Sequence, residues 1–193
     1  MHLISLNLFA SLALTSANAL AAPLEARQDA LRPFEVTALV YNQPSGRPGR
    51  SPWRRITANV TDPNSYSFTE GNTVGTVPAG SRGVNCLAEW FPGEFTDGRT
   101  FSCDETERGY WAIQVFAGSS LDEFTGSDFK VKFIHSAEPG QLIASFRARI
   151  EGEAQFKSGV NGATTYGCFS SGACNAQLRP EVVPLSVPVT TTK

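Results

Sequence analysis

Apolar and polar residues alternate along most of this chain. The alternation is clearest in 34–41, 56–61, 84–90, 111–115, 129–135 and 142–150. Successive side chains of a strand point to opposite faces, so each run predicts a strand with one buried side. The side chains expected to face inward in the second and third runs are Ile56, Ala58, Val60, Val84, Cys86, Ala88 and Trp90.

Turn-forming pairs separate these runs, and two of them predict hairpins: Asp97-Gly98, between Phe95 and Phe101, and Pro139-Gly140, between the runs 129–135 and 142–150. No stretch of a dozen residues has the period of an amphipathic helix. Short strands with frequent turns indicate an all-β fold, a single-domain antiparallel β-barrel or sandwich over residues 33–178. The Pro- and Thr-rich remainder, 179–193, is expected to be an extended or disordered tail.

The first residues have a different pattern, an apolar run from Leu3 to Leu14 that ends in small residues up to Ala21. This run is shorter than the ~20 residues that a membrane-spanning helix needs. With its A-x-A ending, it predicts a secretory signal peptide over 1–21 and a secreted product without a membrane span. Residues 22–32 then form a leader, in which Arg27 is either a second processing site or part of a segment left in place.

Four cysteines follow the leader: Cys86, Cys103, Cys168 and Cys174. In an exported chain an even number predicts disulfides, and neither close pair has the C-x-x-C spacing of a zinc site. Three connectivities are possible. We favour Cys86–Cys103 and Cys168–Cys174, because each closes a short loop between neighbouring elements.

Composition narrows the function classes. The net charge is −2 and the pI is about 5.7, which does not favour nucleic acid or anionic membranes as partners. The sequence contains no phosphate-binding loop, dinucleotide fingerprint or metal-ligand cluster, so we expect neither cofactor nor metal.

The loop 42–55 is rich in Pro, Gly and Arg and carries one Trp. Guanidinium groups around an exposed indole suit a phosphate, a sulfate or an acidic partner. The alternatives are a flexible surface loop or a protease cleavage site. The candidate binding residues are Arg47, Arg50, Trp53, Arg54 and Arg55.

Catalytic patterns are weak. His135, the one histidine of the domain, lies at a strand end, where structural or exposed histidines are common. Glu89 and Glu94 flank a Trp-containing turn and are the candidate pair for a glycan hydrolase, although a strand and a turn need not direct both into one cleft. We therefore expect no catalytic residues. Asn59 begins the glycosylation sequon Asn59-Val60-Thr61, and inward-facing Ile56, Ala58 and Val60 would place it outward.

The order of these features is distinctive: a leader is followed by a β-rich domain that contains a C-x16-C pair, Cys86 and Cys103, and a second close pair, Cys168 and Cys174. In this order the chain resembles the fungal Alt a 1-like secreted proteins. That group includes an airborne allergen and plant-directed elicitors. The likeness covers roughly residues 33–175, and the Pro-Leu-Glu-Ala-Arg-Gln leader is similar to those of many fungal secreted proteins.

The resemblance implies a compact β-barrel with sequential disulfides and no known catalytic residues. It also implies contact with host proteins or small ligands in the plant apoplast, leading to defence responses or cell death. The allergen has an additional cysteine for a covalent dimer, whereas this chain has none to spare, so no disulfide-linked dimer is expected. The expected function is a secreted virulence effector or elicitor. The alternatives are a glycan-active hydrolase and a carbohydrate-binding module.

Overall fold

The structure, a computed structural model, describes residues 31–70, 73–95, 97–119, 124–139 and 148–192. The predicted signal peptide, Arg27 and most of the predicted strand 142–150 lie outside these ranges. Within them the secondary structure consists of strands and one 3-10 turn, Pro180–Val182. The strands are β1 (Phe34–Gln43), β2 (Arg54–Asp62), β3 (Tyr66–Glu70), β4 (Thr73–Val77), β5 (Ser81–Trp90), β6 (Thr100–Ser102), β7 (Gly109–Ala117), β8 (Asp128–Ala137), β9 (Ala148–Lys157), β10 (Thr164–Cys168), β11 (Cys174–Leu178), β12 (Leu185–Val187) and β13 (Val189–Thr192).

Two antiparallel sheets form a sandwich-like fold and do not close into a barrel. Sheet I has the order β10-β11-β1-β2-β5, with β12 also paired to β1. Sheet II has the order β13-β9-β8-β7-β6, and β3-β4 is a separate hairpin. The prediction of an all-β fold is confirmed, and of its two forms the structure is the sandwich.

The core lies between the sheets. Phe34 of β1 packs against Trp111 of β7, with ring centroids 5.1 Å apart, and Tyr41 lies 6.2 Å from Phe129 of β8. Each large apolar side chain that is buried in this way contributes roughly 1.5–3 kcal/mol through removal of its surface from water. The inward positions predicted for Ile56, Ala58 and Val60 are confirmed, since each is at most 2% exposed.

The inward position predicted for Val84 is wrong: its side chain is 38% exposed. Opposite Asn59 the register of β2 and β5 shifts, because Ala58 pairs with Cys86 whereas Val60 pairs with Gly83. The additional residue forms a bulge, in which Asn85 adopts a φ of +49°. A bulge reverses the faces of the residues beyond it, so Gly83 and not Val84 points inward.

The predicted disulfide pairing is confirmed in both cases, Cys86–Cys103 and Cys168–Cys174. The first joins β5 of sheet I to the residue after β6 of sheet II. Asp97-Gly98 forms a turn, but the strands around it do not pair with each other, since β5 pairs with β2 and β6 pairs with β7. Within the segment 179–193, β12 pairs with β1 and β13 with β9, so this part of the chain crosses from sheet I to sheet II.

Candidate functional site

The β1–β2 connection, residues 44–53, contains a tight turn from Arg47 to Arg50. The Arg50 N–H donates to the Arg47 carbonyl at 3.2 Å, and Gly49 has a φ of +79°. Proline at the second position and a positive-φ glycine at the third are the residues that a type II turn requires. The first and fourth residues of such a turn lie within about 7 Å of each other, so the turn places Arg47 and Arg50 side by side.

The β10–β11 hairpin forms the facing wall. Cys168 and Cys174 are paired residues of this hairpin as well as disulfide partners. Within the loop that they enclose, the Phe169 N–H donates to the Ala173 carbonyl at 2.8 Å and the Gly172 N–H donates to the Phe169 carbonyl at 2.9 Å. The disulfide and these two bonds fix the shape of the loop, and the pairing of Cys174 with Gln43 places it beside the β1–β2 connection.

The ends of β1 and β2 form the floor. Asn42 pairs with Arg55, and Gln43 pairs with Cys174. The Tyr41 hydroxyl donates to Oε1 of Gln43 at 2.9 Å. Burial raises the pKa of Tyr41 to about 12, so the hydroxyl remains protonated and keeps this bond at any physiological pH.

Together these elements enclose a groove of about 680 Å³. We call it the arginine groove; its lining residues are Asn42, Gln43, Pro44, Ser45, Arg47, Arg50, Ser51, Trp53, Arg55, Ser171 and Ala173. This lining contains three arginines and no aspartate or glutamate. Within the described residues, Arg47 and Arg50 have no carboxylate partner, whereas Arg55 pairs with Glu89 at 3.2 Å. The groove is therefore a positively charged site on a protein whose net charge is −2.

One aromatic side chain of the groove, Trp53, packs against a second ring. The Trp53 ring lies over Phe91, with centroids 3.7 Å apart and an angle of 34° between the planes. Trp53 is 38% exposed, whereas Trp90 and Trp111 are 4% and 1% exposed. Of the three tryptophans, only Trp53 can therefore offer a ring to a ligand.

Four of the five candidate binding residues line the groove, and Arg54 does not. Neighbouring strand residues face opposite sides of a sheet, so Arg54 lies on the other face from Arg55. There it pairs in register with Trp90, and its charge acts on Tyr41, lowering the pKa that burial raises. Sequence reasoning missed the contribution of Ser171 and Ala173, because only the fold brings the β10–β11 hairpin next to residues 44–53.

Asn59 is half-buried at the bulge, and its Oδ1 accepts the Asn85 N–H at 2.9 Å. An N-linked glycan is attached through Nδ2, which this bond does not use. Glycosylation at Asn59 stays a prediction.

His135 belongs to a buried polar network between the sheets. Its Nδ1 lies 2.7 Å from Oδ2 of Asp62, and its Nε2 lies 3.1 Å from Oγ of Ser81. Asp62 and Ser81 are a cross-strand pair of sheet I, and His135 and Trp111 are a cross-strand pair of sheet II. Trp111 also stacks on the imidazole, with ring centroids 4.4 Å apart, and donates its Nε1–H to Ser81 Oγ at 3.1 Å. We call these four residues the buried network.

Asp62 accepts several further hydrogen bonds. Tyr66 OH donates to Oδ2 at 2.7 Å, and the Asn64 backbone N–H and Nδ2 donate to Oδ1 at 2.9 and 2.8 Å. Burial alone would raise the pKa of Asp62, but the hydrogen bonds from His135, Asn64 and Tyr66 outweigh it and hold the pKa below its usual range. Burial, together with the bond to Asp62, raises the pKa of Tyr66, so its hydroxyl remains a donor.

Ser81, His135 and Asp62 are hydrogen-bonded in the order of a catalytic Ser-His-Asp triad. The surroundings of these residues, however, do not suit catalysis. The imidazole and the carboxylate are both 0% exposed, so the base cannot pass a proton to a leaving group without rearrangement of the core. Trp111 covers one face of the imidazole, and its N–H occupies a lone pair of the Ser81 oxygen. We assign the network a structural role: it ties β2 and β5 to β7 and β8.

The two glutamates of the hydrolase hypothesis have different surroundings. Glu89 forms an ion pair with Arg55 at 3.2 Å, on the neighbouring strand β2. Glu94 is exposed at the end of a turn in which its N–H donates to the Phe91 carbonyl at 3.0 Å. Neither residue lines the arginine groove.

Across the described residues no group of three or more His, Cys, Asp or Glu side chains is arranged to hold a metal ion. The same ranges contain no helix that is long and apolar enough to cross a membrane. No family model, curated protein or solved structure matches this chain.

Proposed function

We propose that this chain is a secreted, non-enzymatic effector or elicitor that binds a host extracellular component through the arginine groove. The host is a plant, as the resemblance to the Alt a 1-like proteins implies. The two disulfides are compatible with an extracellular protein, because such bonds persist in oxidising compartments.

The observation that carries the proposal is the composition of the groove lining. Three arginines converge on one concave site with no acidic residue among them. A surface arginine is ordinarily solvated or paired, but two that a tight turn places side by side, with no carboxylate partner among the described residues, suit an anion. Guanidinium groups bind carboxylate, sulfate and phosphate through paired, charge-assisted hydrogen bonds.

Infiltration of the purified, disulfide-intact protein into leaves tests the proposal. We expect the wild type to induce defence markers or cell death, and the double variant Arg47→Ala/Arg50→Ala to lose most of that response while keeping its circular dichroism spectrum. The matched control is Arg82→Ala. Arg82 is an exposed arginine on β5 whose partner Thr61 lies six strand residues from Arg55, or ~20 Å at about 3.3 Å per residue.

A wild-type protein that causes no response at any dose would overturn the effector proposal. If Arg47→Ala/Arg50→Ala and the control Arg82→Ala reduce the leaf response equally, the groove is not the binding site. The arginines of the groove would then contribute no more than an exposed arginine elsewhere.

A further inference from the structure

We infer that the ligand of the arginine groove is an acidic oligosaccharide, a short run of uronic acid residues whose carboxylates meet the arginines and whose ring stacks on Trp53. This inference rests on the proposed function and names the chemical class of its ligand.

The groove presents donors. Ser45 Oγ accepts the Arg47 N–H and Ser51 Oγ accepts the Trp53 N–H, each at 3.4 Å, so both hydroxyls keep their protons for a ligand. Gln43 already accepts the Tyr41 hydroxyl through Oε1, which leaves its amide N–H groups as its free polar function. With the guanidinium groups added, the site matches a ligand rich in acceptors, namely carboxylates and sugar oxygens.

Trp53 and Phe91 add an apolar surface to the groove, and a simple anion would gain nothing from this surface. Phe91 packs against one face of the Trp53 indole at a centroid distance of 3.7 Å, and this contact restricts the orientation of the indole. A flat, braced indole beside arginines suits a pyranose, whose C–H face is apolar and whose rim is polar. Inorganic phosphate or sulfate has no apolar face to use this surface.

The strands under the groove oppose an acidic peptide as the ligand. Extended peptides commonly add a strand to a free sheet edge, where main-chain hydrogen bonds provide the affinity. Here Asn42 of β1 is paired with Arg55 on one side and Asn175 on the other, and Arg55 is paired in turn with Glu89. Both sides of Asn42 and of Arg55 are therefore occupied, and an extended peptide cannot add a strand at these positions.

The volume agrees with a short oligomer. At about 680 Å³ the groove lies within the ~300–1,000 Å³ that small-molecule sites occupy. A single inorganic anion would leave most of it to water. A short oligosaccharide brings its carboxylates and an adjoining ring into the same space.

Titration of the purified protein with tri-galacturonic acid, followed by tryptophan fluorescence and by calorimetry, tests the inference; Trp53 is the exposed one of the three tryptophans. The fully methyl-esterified trimer has the same rings without charge and is the matched ligand control. We expect the acid to bind at least about tenfold more tightly than the ester, because charge-assisted hydrogen bonds are lost in the ester. Arg50→Ala and Trp53→Ala are each expected to weaken binding of the acid by about tenfold, whereas Arg82→Ala leaves it unchanged.

Three results would overturn the inference. The first is equal affinity for the acid and the ester. The second is binding of inorganic sulfate or phosphate as tight as that of the trimer, with no effect of Trp53→Ala. The third is binding of an oligo-aspartate peptide that is at least as tight as that of the trimer.

The leaf assay separates failure of this inference from failure of the proposed function. If the trimer does not bind but Arg47→Ala/Arg50→Ala still abolishes the leaf response, the effector proposal stands and only the ligand class is wrong. If the trimer binds as expected but the wild type provokes no response, the ligand class stands and the effector proposal is wrong.

Discussion

The buried network and the arginine groove both contain several polar and charged side chains. They differ in whether these groups find their partners within the protein. In the network, the carboxylate of Asp62 accepts from His135, Asn64 and Tyr66, and the oxygen of Ser81 lies between Trp111 and His135. In the groove, Arg47 and Arg50 face an open volume with no carboxylate partner among the described residues. The first region uses its polar groups internally, whereas the second presents them outward.

The comparison shows that residue identity alone is a poor guide to function. Ser, His and Asp are the residues of a catalytic triad, and here they hold two sheets together, since a buried polar group has to be hydrogen-bonded. Arginine and serine in a Pro- and Gly-rich loop resemble an ordinary surface segment, and here one turn and one disulfide-closed hairpin gather them into a concave site. Substitutions in the two regions should therefore have different effects, on stability in the first and on binding in the second.

We expect the largest effect from Asp62→Ala. The substitution leaves the His135, Tyr66 and Asn64 donors without their acceptor inside the core, and loss of one partner of a buried pair costs about 3–5 kcal/mol. Urea denaturation measures the free energy of unfolding. The matched control is Asp128→Ala, which removes a carboxylate that accepts from Gln155 and Ser119 near the surface and should cost about 1 kcal/mol. Equal losses in the two variants would contradict the role of the network.

Acid should destabilise the protein through the same carboxylate. The pKa of Asp62 is lowered in the folded state, so its stabilising contribution is present above the unfolded value of about 3.9 and is lost as the pH falls through the folded value. Free energies of unfolding measured from pH 6 to pH 2 should therefore fall less steeply for Asp62→Asn than for the wild type. Parallel curves would show that Asp62 does not contribute to acid denaturation.

The two disulfides should separate stability from binding. Cys86–Cys103 spans 17 residues and its removal should cost about 3 kcal/mol, whereas Cys168–Cys174 spans 6 residues and its removal should cost about 2 kcal/mol. Only the second bond closes a wall of the groove. The Cys168→Ser/Cys174→Ser variant should thus lose more ligand affinity than the less stable Cys86→Ser/Cys103→Ser variant. The reverse order would indicate that affinity simply follows global stability.

Alternation predicts β2, β7 and β8, whose inward faces are continuous, and also β1 and β5, whose alternation is interrupted by bulges. What it does not predict is the bulge itself: one additional residue at Asn85 reverses the face of Val84. No local signal placed the short strands β10 to β13, because long-range pairing decides their position.

The same alternation also indicates the buried network, because it places two polar residues at inward positions. Extending the inward face of Ile56, Ala58 and Val60 by one step reaches Asp62, and extending that of Phe129, Val131 and Phe133 reaches His135. Two polar residues at inward positions each need a buried partner, so each is a candidate for the other. The groove is different: its arginines were visible in the loop, but its hairpin wall lies more than a hundred residues further along the chain.

Ser81→Ala tests whether the network is only structural. Removal of Oγ leaves Trp111 Nε1 and His135 Nε2 without their shared partner, at an expected cost of about 1–2 kcal/mol in unfolding free energy. Ester hydrolysis by the purified wild type should not exceed that by the variant. A Ser81-dependent turnover would make the buried network a catalytic site and would contradict its structural role.

The smallest expected effect comes from Glu89→Gln, and its sign is informative. Glu89 competes for Arg55 at 3.2 Å, and because both side chains are about a third exposed or more, the pair is worth about 0.2–1 kcal/mol. Its removal frees Arg55, so affinity for tri-galacturonic acid should rise by up to about fivefold, whereas the exposed Glu94→Gln leaves affinity unchanged. A glycan hydrolase that uses Glu89 would instead lose its turnover in the same variant. Tighter binding without turnover therefore favours a groove that is built to hold its ligand intact, whereas weaker binding would mean that the Arg55–Glu89 pair is itself part of the recognition surface.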